Sequence, residues 1–157
     1  MNIINENNNR VVILRGCSGS GKSTYIQKNF PNAYICSADH FFTGNDGIYR
    51  FDPMLLGEAH RYCYRKFLLA ITDKELSRPK IIVVDNTNTQ IFEFYGYVQL
   101  AWAYNIPVEI IRMNTPIDIA AARNLHGVPF KKVKSMQDRF QNIPSFWGIG
   151  EKIVKGV

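Results

Sequence analysis

The segment Gly16-Cys17-Ser18-Gly19-Ser20-Gly21-Lys22-Ser23 fits G-x-x-x-x-G-K-[ST] at every fixed position. Its glycines admit backbone torsions that a side chain forbids. Successive N–H groups can then turn inward around an anion, at the positive end of the helix that follows. That chemistry suits the phosphate tail of a nucleoside triphosphate such as ATP. The expected cradle runs from Gly16 through Cys17, Ser18, Gly19, Ser20, Gly21, Lys22 and Ser23 to Thr24. Lys22 is expected to reach the β- and γ-phosphates. Ser23 is expected to offer its hydroxyl to Mg²⁺, a hard ion that takes oxygen ligands.

Two carboxylates extend this reading. Asp85 ends the run Ile81-Ile82-Val83-Val84, where a second metal ligand would sit, although a strand-terminal Asp also caps turns. Asn86, Thr87 and Asn88 follow it and are expected to orient substrate or loop. Asp39 follows the run Ala33-Tyr34-Ile35-Cys36. Phosphoryl transfer to an alcohol needs a carboxylate that accepts the hydroxyl proton, and Asp39 is the chosen base, with an N-cap or turn role as the alternative. Arg123 precedes the break His126-Gly127-Val128-Pro129. A planar guanidinium there suits phosphate oxygens carrying developing charge, and it equally suits the end of a helix dipole. His40 is read as surface or packing, His126 ranks below Arg123, and Asp46 and Asp52 are read as turn and cap residues.

These residues need elements to hold them. Val11-Val12-Ile13-Leu14 is short, apolar and β-branched, so it predicts a buried strand before the glycine-rich turn. A helix is expected from Lys22 to Phe30, stopped by Pro31, and a second strand over Ala33 to Cys36. Asp52-Pro53 predicts a capped start to a helix reaching Ile71, because Leu56, Ala59, Cys63, Phe67 and Ala70 recur at helical spacing. Pro79 is expected to break the chain. Ile81 to Val84 is a strand without a polar face. A helix over Thr89 to Tyr104, weakened at Gly96, and a strand over Val108 to Ile111 come next. Helices are expected over Pro116 to Asn124 and Phe130 to Phe140, and Glu151 to Val157 is left as a strand or a tail. The alternation predicts an α/β fold, a mostly parallel sheet with helices on both faces and ligands beyond the carboxyl ends of its strands.

The 157 residues fit one domain and 46% hydrophobic residues is ordinary globular composition. The expected division is a frayed, Asn-rich opening over 1–10, a domain over 11–142 with a lid at about 116–130, and a closing strand or tail over 143–157. No apolar run is long enough for a membrane span and the start has no leader pattern. Cys17, Cys36 and Cys63 are odd in number and lack zinc spacing. A reduced, cytoplasmic setting is therefore expected. The net charge of +6 favours an anionic partner without separating ATP from nucleic acid. The basic run Lys131, Lys132 and Lys134 reads first as a solvated helix face.

Several motifs together resemble a known family. They are Arg15 to Thr24, Ser37-Ala38-Asp39-His40-Phe41-Phe42, Tyr49-Arg50-Phe51-Asp52-Pro53, Glu58-Ala59-His60, Asp85-Asn86-Thr87-Asn88 and Arg123-Asn124-Leu125-His126-Gly127-Val128-Pro129. Over about Val11 to Phe140 the chain resembles P-loop kinases of the polynucleotide 5′-hydroxyl kinase type, and more closely the small AAA-type, ATP-binding, kinase-like proteins. The resemblance implies a three-layer P-loop NTPase fold with a parallel sheet of four or five strands and a helical lid. It implies ATP and Mg²⁺, Asp39 as general base and Arg123 as a lid arginine on ATP. The phage enzymes carry an arginine three residues after that Asp, where this chain has Phe42. A second lid arginine is replaced by His126 or displaced.

Three functions stand open on the sequence. The first is a kinase acting on the 5′-hydroxyl of DNA or RNA. The second is a kinase of nucleosides, sugars or other small alcohols. The third is a nucleotide-binding switch without catalysis.

Overall fold

The computed structural model describes residues 9–73 and 81–156. The expected break at Pro79 and residues 1–8 of the polar opening lie outside the described residues. Strand β1 (Arg10–Arg15) leads into helix α1 (Lys22–Asn29), then β2 (Tyr34–Cys36), the short helix α2 (Asp39–Phe42), α3 (Leu56–Thr72), β3 (Ile81–Asp85), α4 (Ile91–Ala103), β4 (Val108–Asn114), α5 (Ile117–Arg123), α6 (Phe130–Asp138) and β5 (Glu151–Lys155). The five strands form one sheet in the order β2-β3-β1-β4-β5. Every pairing is parallel.

The period-2 alternation of the strands builds three layers. Val11, Ile13, Ile82, Val84 and Ile110 pack against α3 and α4 through Ala59, Cys63, Phe67, Phe94, Tyr97, Val98 and Ala101. Val12, Leu14, Val83 and Ile111 face the other way, onto Ile26 and Phe30 at α1. Strands buried on both faces read as continuous apolar runs, which is why β1 and β3 are so plain in the sequence. Each fully buried Val, Leu, Ile or Phe contributes about 1.5–3 kcal/mol.

Helix starts follow local chemistry. The Asp52 carboxylate accepts from the Met54 N–H at 2.9 Å, and Pro53 opens a 3-10 turn, Pro53–Leu55, ahead of α3. Helix α4 begins at Ile91 because Gln90 is its cap, in a reciprocal box with Glu93. A Cβ on Gly96 would stand 3.3 Å from the Tyr64 ring, so the glycine lets α3 and α4 approach. Helix α2 and the 3-10 turn Ser145–Trp147 have no sequence expectation. Trp147 stacks on Tyr95 at 4.9 Å and anchors the final segment to α4.

The end of β1 carries a buried cation. Arg15 has no solvent exposure. Its Nε donates to the Asn88 carbonyl at 2.8 Å, and its Nη2 to the Thr89 and Gln141 carbonyls at 2.9 and 2.7 Å. Its Nη1 pairs with Glu151 of β5. The guanidinium also lies over the Phe94 and Phe140 rings at 4.9 and 5.0 Å. Burial lowers the Arg15 pKa while Glu151 opposes the shift. An arginine stays charged in either case. One side chain therefore joins β1, the loop after β3, the segment after α6, and β5.

Removing Arg15 would strand a largely buried carboxylate and three carbonyls. Breaking a buried pair costs about 3–5 kcal/mol. Arg15→Leu is expected to lower the urea midpoint by that loss of stability, and an unchanged midpoint would show that the network contributes nothing.

Candidate active site

The glycine-rich loop leaves β1 and enters α1 through two left-handed residues, Gly19 at φ +77 and Gly21 at φ +91. Those torsions turn the amides inward. Gly16 N–H is tied to the Thr87 carbonyl at 3.0 Å and Ser20 N–H to the Cys17 carbonyl at 3.1 Å. Among the described residues, the N–H groups of Gly19, Gly21, Lys22 and Ser23 have no protein acceptor. These amides at the head of an eight-residue helix form a donor set suited to phosphate oxygens. The buried Ser20 Oγ, 1% exposed at the residue level, also has no partner. A Cβ on Gly16 would press on this hydroxyl and on Met113, so the glycine leaves the Ser20 side chain its place in the loop.

Lys22 Nζ donates to the Gly16 and Cys17 carbonyls at 2.8 and 3.1 Å. Burial lowers its pKa, opposed first by Asp85 and then by Cys17 and Asp39. Burial pushes the Asp85 carboxyl up, with Lys22 pulling it back down. The three sequence-predicted groups Lys22, Asp85 and Asp39 therefore share one electrostatic neighbourhood, beyond the carboxyl ends of β1, β3 and β2. Burial also raises the Cys17 thiol, and the side chain is enclosed, which argues against a reactive thiolate. Cys36 and Cys63 are likewise buried thiols outside any disulfide.

The donor set fits a magnesium-bound triphosphate. Ser23 brings a hydroxyl and Asp85 a carboxylate, both hard oxygen donors. No group of three or more His, Cys, Asp or Glu gathers among the described residues. Two protein oxygens with phosphate and water completing the shell is the usual arrangement for this ion.

Asp39 opens α2, and its side chain is 55% exposed. Its position is fixed from β3: the Asn86 Oδ1 accepts from the Ala38 N–H at 2.9 Å, and Asn86 Nδ2 donates to the Cys63 sulfur at 3.4 Å. Asn88, left-handed at φ +46, donates to the Leu14 carbonyl at 2.7 Å. The Asn-Thr-Asn run thus ties the ends of β1, β2 and β3 together.

Two groups that sequence reasoning missed or ranked low meet Asp39. Tyr49 hydroxyl donates to Asp39 Oδ1 at 3.1 Å. His126 Nε2 stands 3.7 Å from Asp39 Oδ2. Burial and then Asp39 push the Tyr49 phenol up, so it remains a donor. Tyr49 lies in a turn-rich loop without diagnostic spacing, and only the fold brings it to Asp39. His40 instead faces Lys66, 3.3 Å from its ammonium. Asp46 binds Arg50 through both carboxylate oxygens, a turn contact as expected.

Helices α5 and α6 lie against the loop. Cys17, Ala120 and Val133 form a small apolar cluster. A Cβ on Gly19 would stand 1.9 Å from the Ala120 carbonyl, so the backbone of α5 rests on the cradle itself. Arg123 ends that helix one turn later and is exposed. Among the described residues no protein group holds its guanidinium. On α6, Lys134 pairs with Asp138 and Lys131 and Lys132 are solvated. No described helix is long and apolar enough to cross a membrane.

Comparison with known proteins agrees with this fold. Human NEDD4-binding protein 2 is 36% identical over 143 residues, covering 86% of this chain and 8% of its own length. The chain thus spans less than a tenth of that relative. A candidate kinase of Chloroflexus aurantiacus superposes with a TM-score of 0.67 at 16% identity, over 94% of this chain and 88% of that one. The APS kinase CysC of Mycobacterium tuberculosis, in complex with AMPPNP and APS, gives 0.56 at 17% identity, over 94% and 88%. These likenesses show an α/β P-loop NTPase fold of kinase-like form. A family model described as an AAA domain matches residues 11–143, and the chain belongs to that AAA domain family.

Proposed function

We propose that the protein is an ATP-dependent phosphotransferase that moves the γ-phosphoryl group to a hydroxyl, most specifically the 5′-hydroxyl of a polynucleotide. The observation that carries this reading is the convergence of the amide cradle, Lys22, Asp85 and Asp39 at one end of the sheet. The cradle and Lys22 hold the phosphate tail. Asp39 takes the proton as the acceptor oxygen bonds to the γ-phosphorus, and the bond to the β-phosphate bridge breaks to release ADP. Arg123, one turn beyond the Ala120 contact with Gly19, supplies a guanidinium to the γ-phosphate side. Ser23 and Asp85 would hold Mg²⁺, whose charge offsets that of the phosphates.

A small-molecule acceptor is the second reading. It is favoured by the exposure of Asp39 and by the fold shared with an APS kinase in complex with AMPPNP and APS. A switch without catalysis would leave Asp39 and Arg123 without a task. Incubation with γ-labelled ATP and a panel of 5′-hydroxyl oligonucleotides, nucleosides and sugars separates the three. Transfer to the oligonucleotides supports the first reading, transfer only to small alcohols supports the second, and binding without transfer supports the third.

Asp39→Ala is expected to lower kcat by about 100-fold or more, since general-base catalysis contributes about 10²–10⁴-fold. The ATP Kd should stay within about threefold, because the base acts only during transfer. Turnover that survives the substitution removes Asp39 from this role.

Asp85→Asn has two expected effects. The folded-state pKa of Asp85 lies above its unfolded value through burial. The ionised carboxylate therefore destabilises the fold, progressively as pH rises through that window. In EDTA at pH 7 the variant is expected to melt about 2–4 °C higher, equivalent to about 1 kcal/mol. The further rise in Tm caused by Mg·ATP should be smaller than in the unmodified protein. A lower Tm in EDTA would contradict the burial argument, and an undiminished Mg·ATP effect would contradict the metal role.

A further inference from the structure

A continuous set of aromatic rings begins at the proposed base. Tyr49, whose hydroxyl reaches Asp39, stacks with Phe51 at 6.5 Å and an interplanar angle of 11°. His126 lies 4.1 Å from the Tyr49 ring, tilted by 33°. Three neighbouring rings from two separate segments thus form a contact row with Tyr49 in the middle, and the Tyr49 hydroxyl touches the carboxylate. Phe42 packs beneath the row at 5.1 Å from Phe51 and 6.0 Å from Tyr49. It is 5% exposed and accounts for the cohesion of the loop. Cohesion does not account for Phe51, which keeps 51% of its surface in water next to a charged site.

Resting on the phosphotransferase reading, we propose that the row His126–Tyr49–Phe51 is the acceptor subsite and stacks the 5′-terminal base of a nucleic-acid strand. A base on the exposed rings places its attached 5′-hydroxyl beside Asp39, because Tyr49 belongs to both groups. Every nucleobase has a π-face, so such a platform tolerates sequence and selects for the presence of a base. A sugar alcohol has no planar face to offer it. A strand is preferred over a free nucleoside because the surface beyond the rings can receive its next phosphates. Tyr62 of α3 continues that surface through Phe41 at 5.8 Å. Arg65, exposed and one turn further along α3, supplies a cation there.

The test compares γ-phosphoryl transfer to two 5′-hydroxyl oligonucleotides that differ only in a normal or an abasic 5′ residue. The unmodified protein is expected to prefer the base-bearing strand by about tenfold in kcat/KM, the scale of one stacked base. Phe51→Ala should reduce that preference to less than about twofold with KM for ATP unchanged, and Phe51→Trp should retain it. Equal rates on both strands overturn the proposal, as does a preference that Phe51→Ala leaves intact. Transfer to a sugar or a free nucleoside as efficient as to the strand also overturns it. Should no acceptor be phosphorylated, the phosphotransferase reading itself fails. The subsite is then read by anisotropy of the same strands, 3′-labelled with fluorescein, in the presence of AMPPNP. Tighter binding of the base-bearing strand, lost in Phe51→Ala, supports stacking, and equal or absent binding overturns it.

Discussion

A cation buried at the tip of the central strand needs partners, and satisfying Arg15 organises this end of the molecule. Its donors reach two carbonyls of the loop after β3, one carbonyl after α6, and a carboxylate on β5. Each bond is worth more here than in water, because no solvent competes. The next residue, Gly16, is the first of the phosphate cradle. The loop that Arg15 grips is the one that carries Asp85 at its start and ties Asp39 through Asn86. The geometry of the candidate site and strand-end cohesion therefore share one network. Arg15 and Arg112 both lie over the Phe140 ring, at 5.0 and 4.3 Å, so one aromatic side chain stabilises two cations.

The same end of the sheet concentrates charge against burial. Lys22 is depressed and Asp85 is raised, each by desolvation and each relieved in part by the other. Such opposed shifts are stability spent on a site. Magnesium and phosphate are the partners that would redistribute that charge: the metal favours the ionised Asp85, and the phosphates favour the protonated Lys22. Helix α5 rests on Gly19 without a side chain between them, so the position of α5 and the shape of the cradle are mechanically linked.

Much of this was legible in the chain itself. β1 and β3 are apolar runs buried on both faces, and α3 announces itself by a capped start and a single apolar stripe. The cradle is readable because its glycines are demanded by torsion and close approach. β5 is only half legible, as a strand or a tail: Glu151 to Lys155 has a mixed pattern with Ile153 exposed, and it is held by backbone pairing to β4 and by Glu151 reaching Arg15. Arg15 was noted only as part of a motif, because its partners lie 73 to 136 residues away. The neighbours of Asp39 escaped for the same reason. Tyr49 and His126 arrive from separate segments, and nothing in their local sequence marks the convergence. Helix α2 is a single turn, too short for periodicity to reveal.

If main-chain amides and Lys22 grip the triphosphate tail, affinity follows the phosphates and not the nucleoside that carries them. Isothermal titration of the protein with ATP, ADP and AMP in magnesium measures this. Saturable ATP binding that weakens stepwise as phosphates are removed is expected. AMP bound as tightly as ATP, or no binding of any of the three, would contradict it.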